Sequence, residues 1–298
     1  MNNIKTVFSI KDLENLSGIK AHTIRIWEKR YQILEPMRTD TNIRLYDTAN
    51  LQKLLNISFL HEYGYKISKI ATYSDNEISD LVKQIISAKN SKNHAINALK
   101  MAMMNFDQQL FFNTYDWLAE EKTFREIFIS VFLPLLDEIG LLWQTDTITP
   151  AHEHFISYLI RQKIILNSEK LQVLNPTKTD KIFVLSLPLN EIHELGLMYL
   201  HYEILMAGYK SIYLGESMPV SYLADLKKHF NSIVFVSCLT VKPDREDINA
   251  YVREMVNELL EGTNELWFTG RLSSLINQED FTQKVAVFNS IEDLLVKL

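Results

Sequence analysis

Residues 181–196 read KIFVLSLPLNEIHELG, and this stretch decides the fold of the C-terminal part of the chain. An apolar run, residues 182–187, predicts a β-strand, and His193 and Gly196 follow it closely. In an open parallel sheet, the carboxyl end of a strand borders the crevice where ligands bind. An imidazole there can ligate a metal, and an acid such as Glu191 can hold its other ring nitrogen. The stretch therefore predicts a strand that leads into a site for a metal cofactor.

Short apolar runs and helical patterns alternate through residues 180–298. Strands are predicted at 181–187, 211–214, 232–238, 265–268 and 284–289. Helices are predicted at 193–208, 220–229, 244–261, 272–277 and 291–298. Five such βα units are typical of a flavodoxin-like, doubly wound parallel sheet. No Gly-x-Gly-x-x-Gly follows the first strand, which argues against a dinucleotide ligand.

Residues 76–170 are predicted to form a four-helix bundle. Apolar residues recur there at spacings of three and four in the segments 96–104, 111–117, 124–143 and 155–166. Helices with short connections pack as bundles. The polar stretch 171–180, which contains Asn175-Pro176-Thr177, predicts a linker to the α/β domain.

Residues 1–75 are predicted to form a winged helix-turn-helix domain. One helix is expected over residues 8–16, with Ser9 as its N-cap, and a second over residues 21–30. The turn between them contains Gly18, as helix-turn-helix motifs often do. A short strand at 43–46 is the expected wing, and another helix is expected over 48–63. The whole chain is thus predicted to be a multidomain α and α/β protein.

Six residues of this first domain are candidate DNA contacts. Thr23, Arg25 and Lys29 project from the second helix, which can enter the major groove. The others are Arg38, Arg44 and Tyr46, of which the last two can bind flanking phosphates from the wing. Residues 1–72 carry a charge of +4 and the remainder −10, so a basic end precedes an acidic body. This asymmetry fits a nucleic-acid contact confined to the N-terminal domain.

The composition narrows the class of protein further. The single cysteine, Cys238, excludes an internal disulfide framework and a cysteine-rich zinc site. No apolar run approaches the roughly 20 residues that span a bilayer, so no membrane partner is expected. Charges stand where a signal peptide would have its apolar region, and we therefore expect a cytoplasmic protein.

The N-terminal segment resembles the MerR family of winged-helix regulators over residues 6–72. The matching residues are Thr23-Ile24-Arg25-Ile26-Trp27-Glu28, Pro36 with Arg38, Asn42-Ile43-Arg44-Leu45-Tyr46, and His61-Glu62-Tyr63-Gly64-Tyr65. They occur in the order and spacing of that family. The resemblance implies binding to a double-stranded DNA operator. The structural alternative is an amphipathic helical segment with solvated basic residues.

The C-terminal domain resembles cobalamin-binding domains. Their signature after the first strand is an acid, His and Gly, here Glu191, His193 and Gly196. The resemblance implies that His193 is an axial ligand of the cobalt of cobalamin. It also implies that Ser237-Cys238-Leu239 and Gly270 border the nucleotide tail, with Ser237, Leu239 and Gly270 as contacts.

Two departures from that signature bear on binding. Glu191 replaces the commoner Asp and can still accept a hydrogen bond from imidazole. Thr269 or Arg271 replaces the second glycine of a Gly-Gly pair, and a side chain there would crowd the nucleotide tail. Taken alone, His193 would more often be an ordinary residue at the start of a helix.

The bundle resembles the cap of light-responsive, adenosylcobalamin-binding MerR-type repressors of the CarH and LitR kind. Trp143 is followed after nine residues by Glu153 and His154, and the resemblance implies that these three side chains cover the upper face of the corrin. The resemblance implies a histidine at the upper cobalt position after illumination, and Gln144 stands in its place. Three alternatives follow: light still breaks the cobalt–carbon bond and expels the group, His152 or His154 substitutes as ligand, or the protein senses cobalamin without light. The structural alternative is a tryptophan in the bundle core.

Together, the resemblances imply a transcriptional regulator rather than an enzyme. We expect a repressor and photoreceptor with adenosylcobalamin as cofactor, acting on DNA as a homodimer or homotetramer. Two alternatives remain open from the sequence. One is a MerR-type regulator with a degenerate cobalamin site that senses another ligand or a protein partner. The other is a corrinoid methyl-carrier protein.

Overall fold

The computed structural model describes residues 7–88, 92–145 and 147–298, with side chains throughout except at 83–88, 92 and 144. The chain divides into two compact units, with the boundary between Leu159 and Ile160. No helix in the described ranges is long and apolar enough to cross a membrane.

The first unit begins with a winged helix-turn-helix, as predicted. Its elements are β1 Val7–Phe8, α1 Ile10–Ser17, α2 Ala21–Tyr31, β2 Met37–Arg38, β3 Arg44–Asp47 and α3 Thr48–Glu62. The strands form an antiparallel sheet in the order β1-β3-β2. Ser9 caps α1 through a reciprocal pair of hydrogen bonds with Asp12, and Gly18 ends the helix with a φ of 74°.

The prediction that the first helix begins at residue 8 is wrong. Phe8 lies in β1 and pairs with Tyr46 of β3, because its buried ring completes the core beneath the wing. Two further helices follow the winged helix-turn-helix, which is called the DNA-binding head below. They are α4 Ile67–Ile70 and α5 Asp75–Ala88. Asp75 pairs with Lys53 of α3 at 2.7 Å, and α5 packs against α3.

The helical bundle consists of α6 Lys92–Asn105, α7 Gln108–Ala119, α8 Phe124–Ile127, α9 Leu133–Gln144 and α10 Pro150–Gln172. Helices α8 and α9 form one continuous rod through a π-helical turn, Phe128–Phe132. Pro134 has no N–H to donate to the preceding turn, and the wider turn just before it accommodates the proline. Stacked aromatic rings, such as Phe111 on Phe132, fill the bundle core.

The second unit is a five-stranded parallel sheet. Its strands are β4 Lys178–Ser186, β5 Tyr209–Gly215, β6 Ile233–Cys238, β7 Glu265–Thr269 and β8 Val285–Val287. The strand order β5-β4-β6-β7-β8 is the flavodoxin-like order, which confirms the predicted fold. The helices of this unit are α11 Leu195–Met206, α12 Val220–Leu223, α13 Ile248–Leu259 and α14 Ile291–Leu295. Every residue of β6 is buried, as expected of a central strand covered on both faces.

Several boundaries differ from the predicted ones. Helix α10 continues to Gln172 and β4 begins at Lys178, so the predicted linker 171–180 is reduced to residues 173–177. Helix α11 begins at Leu195, which leaves His193 in the turn before the helix. The helix predicted at 272–277 is only a short 3-10 turn, Ser273–Leu275.

Candidate functional site

The turn between β4 and α11 holds Glu191 and His193 together. The Oε1 atom of Glu191 accepts a hydrogen bond from Nδ1 of His193 at 2.6 Å and from the His193 backbone amide at 3.0 Å. Glu191 is fully buried, whereas the His193 side chain is 53% exposed. An ionised carboxylate at Nδ1 requires the proton on that nitrogen, so metal ligation by this ring would fall to Nε2.

The second oxygen of Glu191 binds the turn that follows β6. Its Oε2 atom accepts hydrogen bonds from the backbone amides of Val241 at 2.6 Å and Lys242 at 2.8 Å. Burial alone would raise the pKa of Glu191, but the hydrogen bonds from His193 and these amides lower it to about 2. Glu191 is therefore ionised at neutral pH and ties together the turns after two neighbouring strands.

The structural requirement for glycine differs between the two predicted site glycines, Gly270 and Gly196. A Cβ on Gly270, which has a φ of +100°, would lie 2.6 Å from the carbonyl oxygen of Leu239, so the chain itself requires glycine there. A Cβ on Gly196 would make only ordinary contacts, 3.8 Å from Ile291 and 3.9 Å from Cys238. The packing of the chain itself therefore does not require glycine at position 196.

Ser237 and Leu239, at the end of β6, are both fully buried. Ser237 Oγ has no hydrogen-bond partner of good geometry among the described residues, although the phenol of Tyr251 lies near it. An unsatisfied buried hydroxyl costs about 1–3 kcal/mol, which a ligand with a polar group could recover. Ser237 is therefore a buried hydroxyl at the end of β6 that a polar group of a ligand could contact.

The two side chains that replace the second glycine lie in different surroundings. Thr269 is 1% exposed, whereas Arg271 is exposed at the surface. Thr269 is therefore the side chain that occupies interior space at the end of β7.

Three exposed apolar residues at the same edge of the sheet were missed by the sequence reasoning. Leu189 and Ile192 lie in the His193 turn and are 54% and 61% exposed, and Val241 in the turn after β6 is 50% exposed. Apolar side chains on turns that also hold a candidate metal ligand form a surface suited to a large, flat, apolar ring. Their position between polar turn residues was the only signal in the sequence.

The candidate cap residues lie at the end of α9 and the start of α10. Trp143 is 56% exposed, so the alternative that it belongs to the bundle core is wrong. Glu153 accepts a hydrogen bond from Ser157 at 2.7 Å and lies 3.3 Å from Nε2 of His154. The exposed indole and the polar pair can contact an apolar group and hydroxyl groups respectively.

The two histidines of this segment differ in accessibility. His152 is 2% exposed, its Nδ1 contacts the hydroxyl of Thr149 at 2.8 Å, and its ring packs on Phe106. His152 therefore serves the start of α10 and does not suit the role of a substitute upper ligand, whereas the His154 side chain is 78% exposed. The side chain of Gln144 lies outside the described residues.

Helix α2 presents Arg25 and Lys29 on one face, whereas Thr23, two residues before Arg25, lies on a different side of the helix. Arg25 and Lys29 are exposed and Thr23 is partly exposed, while Ile24 and Trp27 are buried on the opposite face. In the hairpin of β2 and β3, the exposed Arg38 donates to Asn42 Oδ1 at 2.6 Å.

Glu28 links the recognition helix to the wing, a role that the sequence reasoning missed. Its carboxylate accepts hydrogen bonds from Nε of Arg44 at 2.9 Å and from the hydroxyl of Tyr46 at 2.9 Å. The assignment of Tyr46 as a phosphate contact is corrected, because its side chain is fully buried and its hydroxyl is bound to Glu28. Arg44 keeps 30% of its side chain exposed.

Comparison with known proteins matches two regions of the chain to families. Residues 8–77 match the MerR HTH family regulatory protein, and residues 95–166 match the B12 binding domain. The monomethylamine corrinoid protein of Methanosarcina barkeri has a similar fold, with a TM-score of 0.55 at 14% identity. That similarity covers 70% of this chain and 99% of the corrinoid protein.

Two transcriptional repressors of Myxococcus xanthus are similar over most of the sequence. CarH is 25% identical over 222 residues, which are 72% of this chain and 73% of CarH. CarA is 23% identical over 240 residues, which are 79% of this chain and 73% of CarA. The chain thus joins a MerR-type helix-turn-helix to a B12-binding region, and it is homologous to the CarH and CarA repressors.

Proposed function

We propose that this protein is a DNA-binding transcriptional repressor whose binding to its operator is controlled by bound cobalamin. The observation that carries the proposal is the Glu191–His193 pair at the carboxyl edge of a flavodoxin-like sheet, in a chain that begins with a winged helix-turn-helix. Two of its relatives are repressors by name, CarH and CarA.

The α/β unit supplies the residues that would hold the cofactor. His193 would ligate the cobalt through Nε2, and Glu191 would fix the tautomer and raise the basicity of the ring. Gly196, Ser237, Leu239 and Gly270 would border the nucleotide tail, and Ser237 would donate its hydroxyl to it. Cobalamin would bring its cobalt already bound within the corrin ring, and the protein would add the imidazole of His193.

Adenosylcobalamin is the form that the cap residues suit. The exposed indole of Trp143 can pack on the adenosyl group, and Glu153 and His154 can bind the ribose hydroxyls. The cobalt–carbon bond of this cofactor is broken by light, which makes light the proposed second input. Gln144 would be a poor cobalt ligand, and of His152 and His154 it is His154 that is accessible enough to serve as one.

The output is binding to double-stranded DNA. Arg25 and Lys29 would enter the major groove from α2, and Arg38 and Arg44 would bind phosphates. A homodimer or homotetramer would recognise a two-fold operator. Cofactor binding would then act on repression through subunit assembly.

One observation favours a second candidate, a regulator with a degenerate cobalamin site. The buried side chain of Thr269 takes space at the end of β7, where a glycine would leave it open. Such a protein would bind DNA but would not retain a corrinoid.

The experiment is to mix the purified protein with adenosylcobalamin in the dark, desalt it, and record its absorption spectrum and its binding to a labelled operator. We expect retained corrin absorption, tighter DNA binding in the dark, and weaker DNA binding after illumination. Retained cofactor without a light effect would limit the proposal to cobalamin sensing. A colourless protein that still binds DNA would favour the degenerate site, and methyl transfer with a partner enzyme would favour a methyl carrier.

A further inference from the structure

Glu194 follows His193 directly and stands at the N-cap of α11, yet its carboxylate does not cap that helix. The shorter acid Asp at an N-cap ordinarily accepts hydrogen bonds from the first-turn amides, whereas Glu is not a preferred N-cap residue. Here its Oε1 atom instead lies 3.1 Å from Nη2 of Arg161, and its Oε2 atom accepts from the hydroxyl of Tyr213 at 2.7 Å. The Glu194 side chain is only 14% exposed. Both of its oxygens are thus committed to distant parts of the same unit.

The two partners of Glu194 come from different elements. Tyr213 belongs to β5, the strand next to β4, and burial, then the hydrogen bond to Glu194, raises the pKa of its phenol. It therefore stays a protonated donor. Arg161 belongs to the part of α10 that lies in the second unit.

The contact with Arg161 is poorly optimised for stability. Its Nε atom is buried with no hydrogen-bond partner among the described residues. An ion pair that leaves a buried donor unsatisfied gains little net stability, because the desolvation of that donor offsets the attraction. The pair of Arg161 and Glu194 is therefore better explained by a role in holding the His193 turn in place against α10 than by a contribution to the free energy of folding.

We propose that Glu194 is a positioning residue for cobalamin ligation, which clamps the His193 turn between β5 and α10. The inference rests on the proposed function. Glu191 fixes the imidazole through Nδ1, while Glu194 fixes the backbone next to it. The clamp therefore ties the turn of the cobalt ligand to β5 and to the part of α10 that lies in the same unit.

The first test uses the protein without cofactor. Hydrogen exchange of residues 188–195 is compared in the wild type, Glu194→Gln, Tyr213→Phe and Arg161→Met, with Arg253→Met as the matched control. Arg253 forms an exposed ion pair with Asp280, 3.7 Å long, in the same unit. We expect faster exchange in this turn for the three clamp variants and no change for the control. Unchanged exchange in all three would overturn the proposal.

The second test measures cobalamin binding and the lower cobalt ligand. We expect Glu194→Gln to raise the Kd for adenosylcobalamin about tenfold. The spectrum at saturation should show a larger fraction of bound cofactor without histidine at cobalt, which a merely structural residue would not change. The double variant that combines Arg161→Met with Glu194→Gln should bind adenosylcobalamin as weakly as Glu194→Gln alone, because each change breaks the same ion pair.

These outcomes separate the two proposals. If the wild type retains no cobalamin, the proposed function fails, and the hydrogen-exchange result still decides whether the clamp exists. If the wild type binds cobalamin through histidine and Glu194→Gln binds it with the same affinity and spectrum, the positioning role is wrong while the proposed function stands.

Discussion

Lys100 of the bundle donates a hydrogen bond to the backbone carbonyl of Leu16, 3.3 Å away at the end of α1. The same ammonium group pairs with Glu138 of α9, and the Lys100 side chain is only 7% exposed. A second polar contact joins Asn15 Nδ2 to the hydroxyl of Thr147 at 2.8 Å. The first helix of the DNA-binding head is therefore linked through Lys100 of α6 to the helix that carries Trp143, and it directly contacts the loop that follows that helix.

Replacing Lys100 with Met should destabilise the first unit. The change leaves the Leu16 carbonyl and Glu138 without their charged partner, and breaking such a contact costs about 1–3 kcal/mol. Urea unfolding monitored by tryptophan fluorescence measures this loss. Lys11→Met is the control, because Lys11 forms a largely exposed pair with Glu14. Equal stability of both variants would show that the buried ammonium contributes nothing.

The Glu191 carboxylate makes a stability contribution that depends on pH. Its pKa is about 2 in the folded protein, below the ordinary value, so the contribution is present at neutral pH and disappears as the pH falls towards 2. In Glu191→Gln one of the two acceptor oxygens becomes an NH2 donor, so either the amides of Val241 and Lys242 or those of Ile192 and His193 lose their acceptor, a loss of about 1–3 kcal/mol at pH 7.

Urea unfolding of the wild type and Glu191→Gln should therefore give two curves of stability against pH that converge under acid conditions. Glu279→Gln, on an exposed turn, controls for the loss of a surface charge. A constant gap between the wild type and Glu191→Gln at every pH would contradict the assigned role of the ionised carboxylate.

Glu28 should matter for DNA binding without touching DNA. In Glu28→Gln the wing loses a charged partner for Arg44 and a strong acceptor for Tyr46, so the wing should become mobile relative to α2. Tyr46→Phe removes only one hydrogen bond and should cost about 1 kcal/mol of stability. Operator titration and urea unfolding should show weaker DNA binding for the first variant and a mostly structural effect for the second. An operator affinity of Glu28→Gln equal to that of the wild type would refute this role.

Arg25 and Lys29 should differ in how they contribute to DNA recognition. Loss of a base contact in Arg25→Ala is expected to weaken specific binding by about 1–3 kcal/mol and to relax the sequence preference. Lys29→Ala tests whether Lys29 contacts a phosphate. Loss of such a contact should lower the affinity for all DNA sequences and reduce the salt dependence of binding. Footprinting and titration at several salt concentrations distinguish the two effects. A normal DNA footprint from Arg25→Ala would contradict the assignment of α2 as the recognition helix.

The alternation of strands and helices was readable from the sequence because each buried strand is a short apolar run between turn residues. The order of the strands also followed, since consecutive βα units favour few topologies. The end of the linker could not be predicted from the sequence, because residues 178–180 are polar and exposed, and of these only Lys178 pairs with the neighbouring strand β5. The site residues on the β4 turn were identified by their spacing, and their roles in cofactor binding stay predictions.

Contacts between distant positions were the part that the sequence could not provide. Alternation places Arg44 and Tyr46 on one face of the wing, but it does not indicate that Glu28 covers that face. The sequence around Glu194 likewise does not indicate its partners, and only the tertiary structure brings Arg161 and Tyr213 to it. Such pairings depend on how elements pack, and a local pattern carries no information about them.

The most direct test of the central claim is an electron paramagnetic resonance spectrum of the protein loaded with cobalamin and reduced to Co(II). The protein is prepared with ordinary histidine, or with histidine that carries the heavy nitrogen isotope. We predict that the nitrogen splitting changes with the isotope and that this dependence is lost in His193→Ala. A splitting that is independent of the isotope, or a protein that retains no cobalamin, would contradict ligation by His193.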